Sequence, residues 1–257
     1  MASVELVYSE FGLSDASPLI ILHGFFASSR NWKFIAEKLA DHHRVYVVDL
    51  RNHGSSPHDP LMDYPSMAND VRQFMTQRGL SSASLLGHSM GGKIAMWLAL
   101  TDSAAVDKLI IADIAPVSYS HSFKKIITAL KALSLDSLSN RKQAEEALAE
   151  AIPELSYRQF LLQNLVLKNG HYRWRVDLDI FEQMAPNITA FPVSDRIMPF
   201  AESALFIAGE ESNFIQAESV WPLFPHAQLI TLAGAGHWLH IQQPEAFVKA
   251  VQGFLQA

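Results

Sequence analysis

Ser89 has the surroundings that most clearly indicate chemistry. It is the third residue of the pentapeptide GHSMG at positions 87–91, which matches the pattern G-x-S-x-G of a sharp strand-to-helix turn. Such a turn lifts the serine hydroxyl out of a sheet, and glycines flank it because a Cβ would clash with the crowded backbone. The apolar run Ala83–Leu86 predicts the strand, and Lys93–Leu100 predicts the helix. A tight turn that merely needs small residues is the alternative, but this context favours a nucleophile.

His237 is the candidate general base. A nucleophilic serine in such a turn is followed along the chain by an acid and then by a histidine. His237 lies in a loop after the apolar run Gln228–Leu232 and just before the last predicted helix. The carboxyl end of a parallel strand is the edge where sites of α/β proteins assemble. His240 competes for the role but belongs to the approach to that helix, so we predict that His237 accepts the Ser89 proton.

Two backbone amides are candidates for binding the oxyanion of a tetrahedral intermediate. His23-Gly24 ends the first long predicted strand, and the residue after such a pair supplies one N–H donor. The residue after the nucleophile supplies the other. This assigns Phe25 and Met90, by main chain only. An ordinary glycine loop is the alternative, but it would leave the negative charge of the tetrahedral intermediate without hydrogen-bond donors. Loss of one such donor slows a reaction roughly 10²- to 10³-fold.

The elements that must position these residues alternate between short apolar runs and helical patterns. Six runs are apolar on both faces, as strands buried between helix layers should be. They are Pro18–Leu22, Arg44–Leu50, Ala83–Leu86, Lys108–Ala112, Ala204–Ala208 and Gln228–Leu232. Amphipathic stretches predict helices, one of which starts after Pro244. The pattern predicts an α/β fold with a mostly parallel central sheet flanked by helices.

A central interval of the chain departs from this alternation. It contains the helical segments Phe123–Leu133 and Arg141–Ile152, and Asn169-Gly170 is a two-residue hairpin signal. We predict a mainly helical insertion that covers the sheet as a lid. A separate second domain is the alternative, but the strand pattern resumes after the insertion. The expected boundaries within a single domain are 1–116 and 203–257 for the core and 117–202 for the lid.

The composition argues against several classes of protein. The formal net charge of -6 gives no support for binding nucleic acid or an anionic membrane surface. Cysteine is absent, which excludes disulfides and thiolate metal sites, and no HExxH or other metal-ligand spacing occurs. The first residues do not resemble a signal peptide, and no apolar run approaches the roughly 18 residues of a membrane span. We expect a cytoplasmic protein that needs no cofactor and no metal.

Several segments together resemble a known family. They are HGFF (23–26), DLRNHGSSP (49–57), GHSMGGK (87–93), DIAPV (113–117), WRV (174–176) and AGAGHW (233–238). The chain resembles the YbfF-type esterases of the α/β-hydrolase superfamily over about residues 15–255. The resemblance implies a carboxylesterase with the α/β-hydrolase fold and a mainly helical lid inserted after the sixth strand. Its substrate would be a small-molecule acyl ester, with acyl-CoA thioesters as the alternative.

The acid of the predicted triad is the member that the motifs leave open. Many α/β-hydrolases place it after the fifth of the six apolar runs, but the pattern G-x-x-D falls on GEES there and leaves Ser212 at the acid's position. Asp113 ends the preceding run, at the same edge of the sheet, and from there a carboxylate can fix the tautomer of His237. The alternative acids are Glu211 and Asp179. We predict Asp113, with Ser212 as a supporting hydrogen-bond partner.

Other polar and aromatic residues near the motifs have structural interpretations. Asp49 and the loop 51–54 lie beside the site but are interpreted as scaffold. Lys93 lies on the helix after the serine turn and is interpreted as solvated or ion-paired. Phe26 and Trp238 are predicted to line the substrate pocket. Phe26 follows the predicted oxyanion donor Phe25, and Trp238 follows the predicted base His237.

These residues predict acyl transfer in two steps through an acyl-enzyme. A serine rather than an aspartate in the turn argues against dehalogenase and epoxide-hydrolase chemistry. A carbon–carbon bond hydrolase or an acyltransferase with the same triad is the alternative within enzymes. A catalytically inactive hydrolase-fold binding protein is the alternative from another class, and the presence of candidates for every catalytic role disfavours it.

Overall fold

The computed structural model describes residues 3–192, 194–195 and 197–257. Within these residues nine strands form, seven in one sheet and two in a hairpin. They are β1 (Tyr8–Phe11), β2 (Pro18–Leu22), β3 (Arg44–Val48), β4 (Ala83–His88), β5 (Val106–Ala112), β6 (Leu165–Lys168), β7 (His171–Trp174), β8 (Ala204–Gly209) and β9 (Ala227–Leu232). The sheet has the order β1-β3-β2-β4-β5-β8-β9, and each neighbouring pair is parallel except β1 with β3.

Ten α-helices connect and cover the strands in the described part of the chain. They are α1 (Lys33–Leu39), α2 (Tyr64–Gln77), α3 (Met90–Thr101), α4 (Lys124–Lys131), α5 (Arg141–Ala147), α6 (Leu155–Leu161), α7 (Leu178–Thr189), α8 (Ala217–Val220), α9 (Leu239–Gln242) and α10 (Pro244–Gln256). Proline opens α10 because its missing amide hydrogen costs nothing at the first position of a helix. None of these helices combines the length and apolar character that crossing a membrane requires.

Alternate residues of the central strands face two separate apolar cores. On β2, Ile20 and Leu22 belong to one core, whereas Leu19 and Ile21 belong to the other. All six residues of β4 are buried. A strand covered on both faces needs apolar side chains on both, which is why these runs show no polar alternation. The predicted α/β fold, with a mostly parallel sheet flanked by helices, is confirmed.

The edges of the sheet differ from the sequence prediction. The prediction missed β1, a four-residue strand that pairs antiparallel with β3 and places Tyr8 opposite Val48. The last strand, β9, was expected to be apolar and buried on both faces. Its residues Gln228, Leu229 and Thr231 are exposed because β9 has a neighbour on one side only.

An insertion lies between β5 and β8. It contains α4 to α7 and the hairpin β6–β7. The hairpin turns at Asn169 and Gly170, whose φ angles of 54° and 81° are the two left-handed positions of a tight two-residue turn. The insertion contacts the loop after β2, where the rings of Phe181 and Phe25 lie 4.4 Å apart. A mainly helical segment therefore packs beside the carboxyl ends of the strands.

The insertion follows β5, the fifth strand in the described chain, so the expectation that it follows the sixth is wrong. A single strand, β1, precedes β2 in these residues. The amides of Val4 and Val7 donate to the side chains of Asp70 and Ser56, at 2.9 and 2.8 Å. An amide bound to a side chain cannot donate to a neighbouring strand, so Val4 and Val7 do not pair through their amides with a further strand.

Candidate active site

Ser89 lies in the predicted turn between β4 and α3. Its backbone has φ 52° and ψ -119°, a region that side-chain-bearing residues rarely adopt. The turn also brings α3 close to β2. A Cβ on Gly91 would lie 2.2 Å from the Leu22 carbonyl oxygen, and a Cβ on Gly87 would lie 2.4 Å from the Gly91 carbonyl oxygen. Glycine is required at both positions because no side chain fits between these elements.

Three side chains from different loops form one hydrogen-bonded series. Ser89 Oγ lies 3.1 Å from His237 Nε2, and His237 Nδ1 lies 2.8 Å from Asp113 Oδ2. Ser89 follows β4, Asp113 follows β5, and His237 lies between β9 and α9. All three loops leave the carboxyl edge of the parallel sheet, where such sites assemble. The geometry allows the imidazole to take the hydroxyl proton while the carboxylate holds the other ring nitrogen.

Asp113 is fully buried and bonded through both carboxylate oxygens. Oδ1 accepts a hydrogen bond from the Gly209 amide at 3.1 Å, and Oδ2 accepts from Ser212 Oγ and His237 Nδ1. Burial alone would raise the pKa of Asp113. The hydrogen bond and charge of His237, together with the bonds from Ser212 and Gly209, outweigh burial and lower this pKa below its ordinary value. Asp113 is therefore an anion at neutral pH.

The alternative acids lie outside this series. Asp179 is exposed on α7, where it forms an ion pair with Lys131 at 2.6 Å. Glu211 is also exposed, and the His237 nitrogen that it would need is bonded to Asp113. The geometry thus brings Asp113 to the imidazole in preference to either alternative.

His88 belongs to the site although the sequence interpretation missed it. Its Nε2–H donates to the carbonyl oxygen of His237 at 2.8 Å, which fixes the loop that carries the predicted base. Burial lowers the pKa of His88 to about 3, so the ring is neutral and has one N–H to donate. The motif gives no information at this position. The one signal was a polar side chain at the end of a strand that is otherwise buried and apolar.

Phe25 and Met90, whose amides are the predicted oxyanion donors, line the same cavity as Ser89. Met90 is the first residue of α3, and amides in the first turn of a helix have no acceptor within the helix. Phe25 lies in the turn after β2, and within the described residues its amide has no protein acceptor. The next amide, that of Phe26, is bound to His53 Nε2 at 3.2 Å. Both predicted donors are therefore available to a substrate oxygen.

Asp49 connects two segments beside the site. Its carboxylate accepts from the amide of Ser29, in the short helical turn Ser29–Trp32, at 2.7 Å and from the amide of Ser55, in the loop after β3, at 2.8 Å. Arg51 in turn forms a fully buried ion pair with Asp70. These contacts agree with the interpretation of Asp49 and the loop 51–54 as scaffold.

A cavity of about 520 Å³ opens beside Ser89, and most of its walls are apolar or aromatic. Trp238 lies in these walls, as predicted, and so does the Phe25 ring. Phe26 was predicted to line the pocket, and this prediction is wrong. Its φ of 64° turns the side chain away, and the buried ring packs 5.0 Å from that of Phe181. Phe25 thus contacts both the cavity and the insertion, whereas Phe26 packs against the insertion and does not line the cavity.

The chain is similar to known hydrolases in sequence and in fold. Residues 19–250 match the alpha/beta hydrolase family. The chain is 36% identical to the sn-1-specific diacylglycerol lipase ABHD11 of Xenopus tropicalis, over 99% of this chain and 83% of that protein. It is 35% identical to esterase YbfF of Escherichia coli K12, over 93% of each. The structure of a marine microorganism esterase matches 98% of this chain and all of its own, with a TM-score of 0.93 and 42% identity. The chain belongs to the α/β-hydrolase family.

This membership confirms the resemblance to the YbfF-type esterases and the α/β-hydrolase fold. The protein is an enzyme, a hydrolase of ester bonds.

The environment of Lys93 differs from the one that the sequence predicted. Lys93 was interpreted as solvated or ion-paired, but it is only 1% exposed. Its Nζ donates to the carbonyl oxygens of Thr189 at 2.9 Å and Ala190 at 2.7 Å, at the end of α7. The interpretation is wrong because α3 is buried on every side from its first residue to Leu100, and so it has no solvated face for a lysine.

Proposed function

We propose that this α/β-hydrolase cleaves carboxylic esters of small or medium acyl chains through a Ser89-His237-Asp113 triad and an acyl-enzyme intermediate. The observation that carries the proposal is the continuous hydrogen-bonded series from Ser89 Oγ through His237 to Asp113. A nucleophile within reach of a base, itself oriented by a third group, is the arrangement required for nucleophilic catalysis.

Acylation begins when Ser89 Oγ attacks the carbonyl carbon of the ester and His237 Nε2 takes the hydroxyl proton. The carbonyl oxygen becomes an anion, which accepts hydrogen bonds from the amides of Phe25 and Met90. His237 then donates its proton to the leaving alcohol oxygen as the carbon–oxygen bond breaks. The acyl group stays on Ser89 as an ester.

Deacylation repeats these roles with water. His237 takes a proton from water as the water oxygen attacks the acyl carbon, and it returns that proton to Ser89 Oγ as the carboxylic acid leaves. Asp113 holds Nδ1–H and stabilises the imidazolium in both steps without taking the proton. The enzyme is regenerated with every proton accounted for.

The insertion at 117–202 acts as a lid on the core formed by 1–116 and 203–257. Phe123 and Tyr157 of the insertion line the cavity beside Ser89, so the lid supplies part of the wall that receives the acyl chain. The predominantly apolar wall supports an acyl substrate. The names of the relatives, an esterase and a diacylglycerol lipase, agree with this substrate class.

Labelling with a fluorophosphonate tests the nucleophile. The native protein should form a covalent adduct at Ser89, and the Ser89→Ala variant should form none. A native protein that stays unlabelled and inactive on esters would overturn the proposal in favour of an inactive binding protein.

A panel of acyl chain lengths, with alcohol and CoA leaving groups, then identifies the substrate. Free carboxylic acid as the main product is the result expected of an ester hydrolase. Transfer to an added alcohol in preference to water would identify an acyltransferase. Turnover restricted to carbon–carbon bonds would identify the other alternative chemistry.

A further inference from the structure

Lys93 lies one helical turn beyond Ser89 on α3, and both residues line the same cavity. Four residues advance a helix by about 6 Å along its axis. Side chains on a helix lean toward its N-terminus, so the lysine stem leans toward the serine turn. Lys93 therefore lies in the wall of the cavity, about one helical turn from Ser89.

The surroundings of the amine are neutral. Its two hydrogen-bond acceptors are the main-chain carbonyls of Thr189 and Ala190. The rings of Tyr119 and Tyr64 lie 4.7 and 5.6 Å from Nζ, where their faces attract a cation. The hydroxyls of both tyrosines donate to other main-chain carbonyls. Within the described part of the chain, Lys93 forms no ion pair with a carboxylate.

An ammonium group at this place is incompletely satisfied. It has three N–H donors, and two of them are used by the carbonyls. A buried cation without a counter-charge is unfavourable, and burial accordingly lowers the pKa of Lys93 to about 7. An anion that entered through the cavity would supply the counter-charge.

We propose that Lys93 binds a carboxylate at the far end of the acyl chain, so that the preferred substrates are half-esters of dicarboxylic acids. This inference rests on the proposed ester hydrolysis at Ser89. The carbonyl end of the acyl group bonds to Ser89, and apolar walls contact its methylenes. The ammonium donates a hydrogen bond to the terminal carboxylate. The carboxylate supplies both the third hydrogen-bond acceptor and the counter-charge.

Glu154 and His121 also lie in the cavity wall, and their charges affect which acyl end the cavity can bind. Glu154 is exposed and would repel a carboxylate. His121 is also exposed, and burial and the charge of Lys93 lower its pKa below 6.5. It is therefore mostly neutral at pH 7, which leaves Lys93 as the cation.

A matched pair of substrates tests the proposal: p-nitrophenyl hexanoate and the mono-p-nitrophenyl ester of adipic acid, which differ in the terminal carboxylate. The measured quantity is the ratio of their kcat/KM values, adipate over hexanoate. We expect Lys93→Met to lower this ratio at least tenfold, because one partner of a buried charge pair is lost. The control His121→Gln should keep the ratio within about twofold of the native value. An unchanged ratio in Lys93→Met, or a loss in His121→Gln instead, would overturn the assignment.

The native enzyme provides a second test that does not depend on a variant that folds. The ratio should fall as the pH rises through about 7 to 8, because the lysine loses its proton. The groups that face Lys93 titrate outside this range: burial raises the pKa of Tyr64 and raises that of Tyr119 to about 12, and the pKa of His121 lies below 6.5. His237 has the same proposed role with both substrates, so its contribution cancels in the ratio. A ratio independent of pH means that Lys93 only anchors α7, whereas inactivity on hexanoate would count against the proposed function.

Discussion

The hydroxyl of Ser212 donates a hydrogen bond of 2.5 Å to Oδ2 of Asp113, the same oxygen that meets His237. The two residues follow neighbouring strands, β5 and β8, which run in register with Ala112 beside Ile207. Ser212 stands where the pattern G-x-x-D would place the acid. In this chain the carboxylate comes from the adjacent strand, and a hydroxyl at the vacated position supports it.

The first prediction concerns the acid. Asp113→Asn should lower kcat by about 10⁴-fold while the protein stays folded, because an amide cannot hold the productive tautomer of the imidazole. Adding Ser212→Asp to this variant should restore at least about tenfold of the loss, since a carboxylate at 212 would reach the same space beside His237. Steady-state kinetics and circular dichroism of the single and double variants provide the measurement.

Asp179→Asn is the matched control for this prediction. It removes a carboxylate of the insertion that is exposed and paired with Lys131, so ester hydrolysis should stay near the native rate. Near-native activity of Asp113→Asn would instead move the role of acid to Glu211 or Asp179.

The second prediction separates two neighbouring histidines. His237→Ala should abolish turnover, since loss of a triad member costs up to about 10⁶-fold in kcat. His240 is buried and stacks on Trp32 at 4.1 Å, so His240→Ala should reduce the free energy of unfolding and keep turnover. Kinetics and urea unfolding of both variants distinguish the two effects. A folded His240→Ala variant without activity would contradict this assignment.

The fold and the placement of the proposed triad residues could be predicted because they depend on local patterns. The buried strands are apolar on both faces, and the serine turn needs glycines at fixed spacing. The geometry around Asp113 also follows from local pattern, since the residue directly after a parallel strand is placed at the carboxyl edge by the sheet itself.

The remaining features depend on contacts between distant segments. Whether Phe25 or Phe26 faces the cavity is decided by a backbone twist with φ 64°, which no local pattern indicates. The environment of Lys93 depends on the end of α7, nearly a hundred residues away in the chain. His88 is bonded to a loop 149 residues away. Sequence patterns contain no information about such pairings.

The third prediction concerns the strained serine turn. Ser89 adopts φ 52°, a conformation that costs a side-chain-bearing residue on the order of 1–3 kcal/mol. Ser89→Gly should therefore have a free energy of unfolding about 1 kcal/mol higher than that of Ser89→Ala, after the flexibility of glycine in the unfolded chain is deducted. It should accordingly unfold at a higher denaturant concentration. Both variants lack the hydroxyl, so the difference between them reports the backbone strain at position 89. Equal stability of the two would show that the turn is unstrained.

The fourth prediction uses the pH dependence of stability to measure the burial of Lys93. Its pKa is about 7 in the folded protein and 10.5 ordinarily, so between these values the unfolded chain binds more protons and native stability rises with pH. Lys93→Met lacks this contribution. The unfolding free energy of the native protein minus that of Lys93→Met should therefore increase by about 1–2 kcal/mol between pH 7 and pH 9, measured by urea unfolding. The exposed Lys142, substituted in the same way, should show no such change. A difference that stays constant with pH would mean that Lys93 keeps its proton when buried.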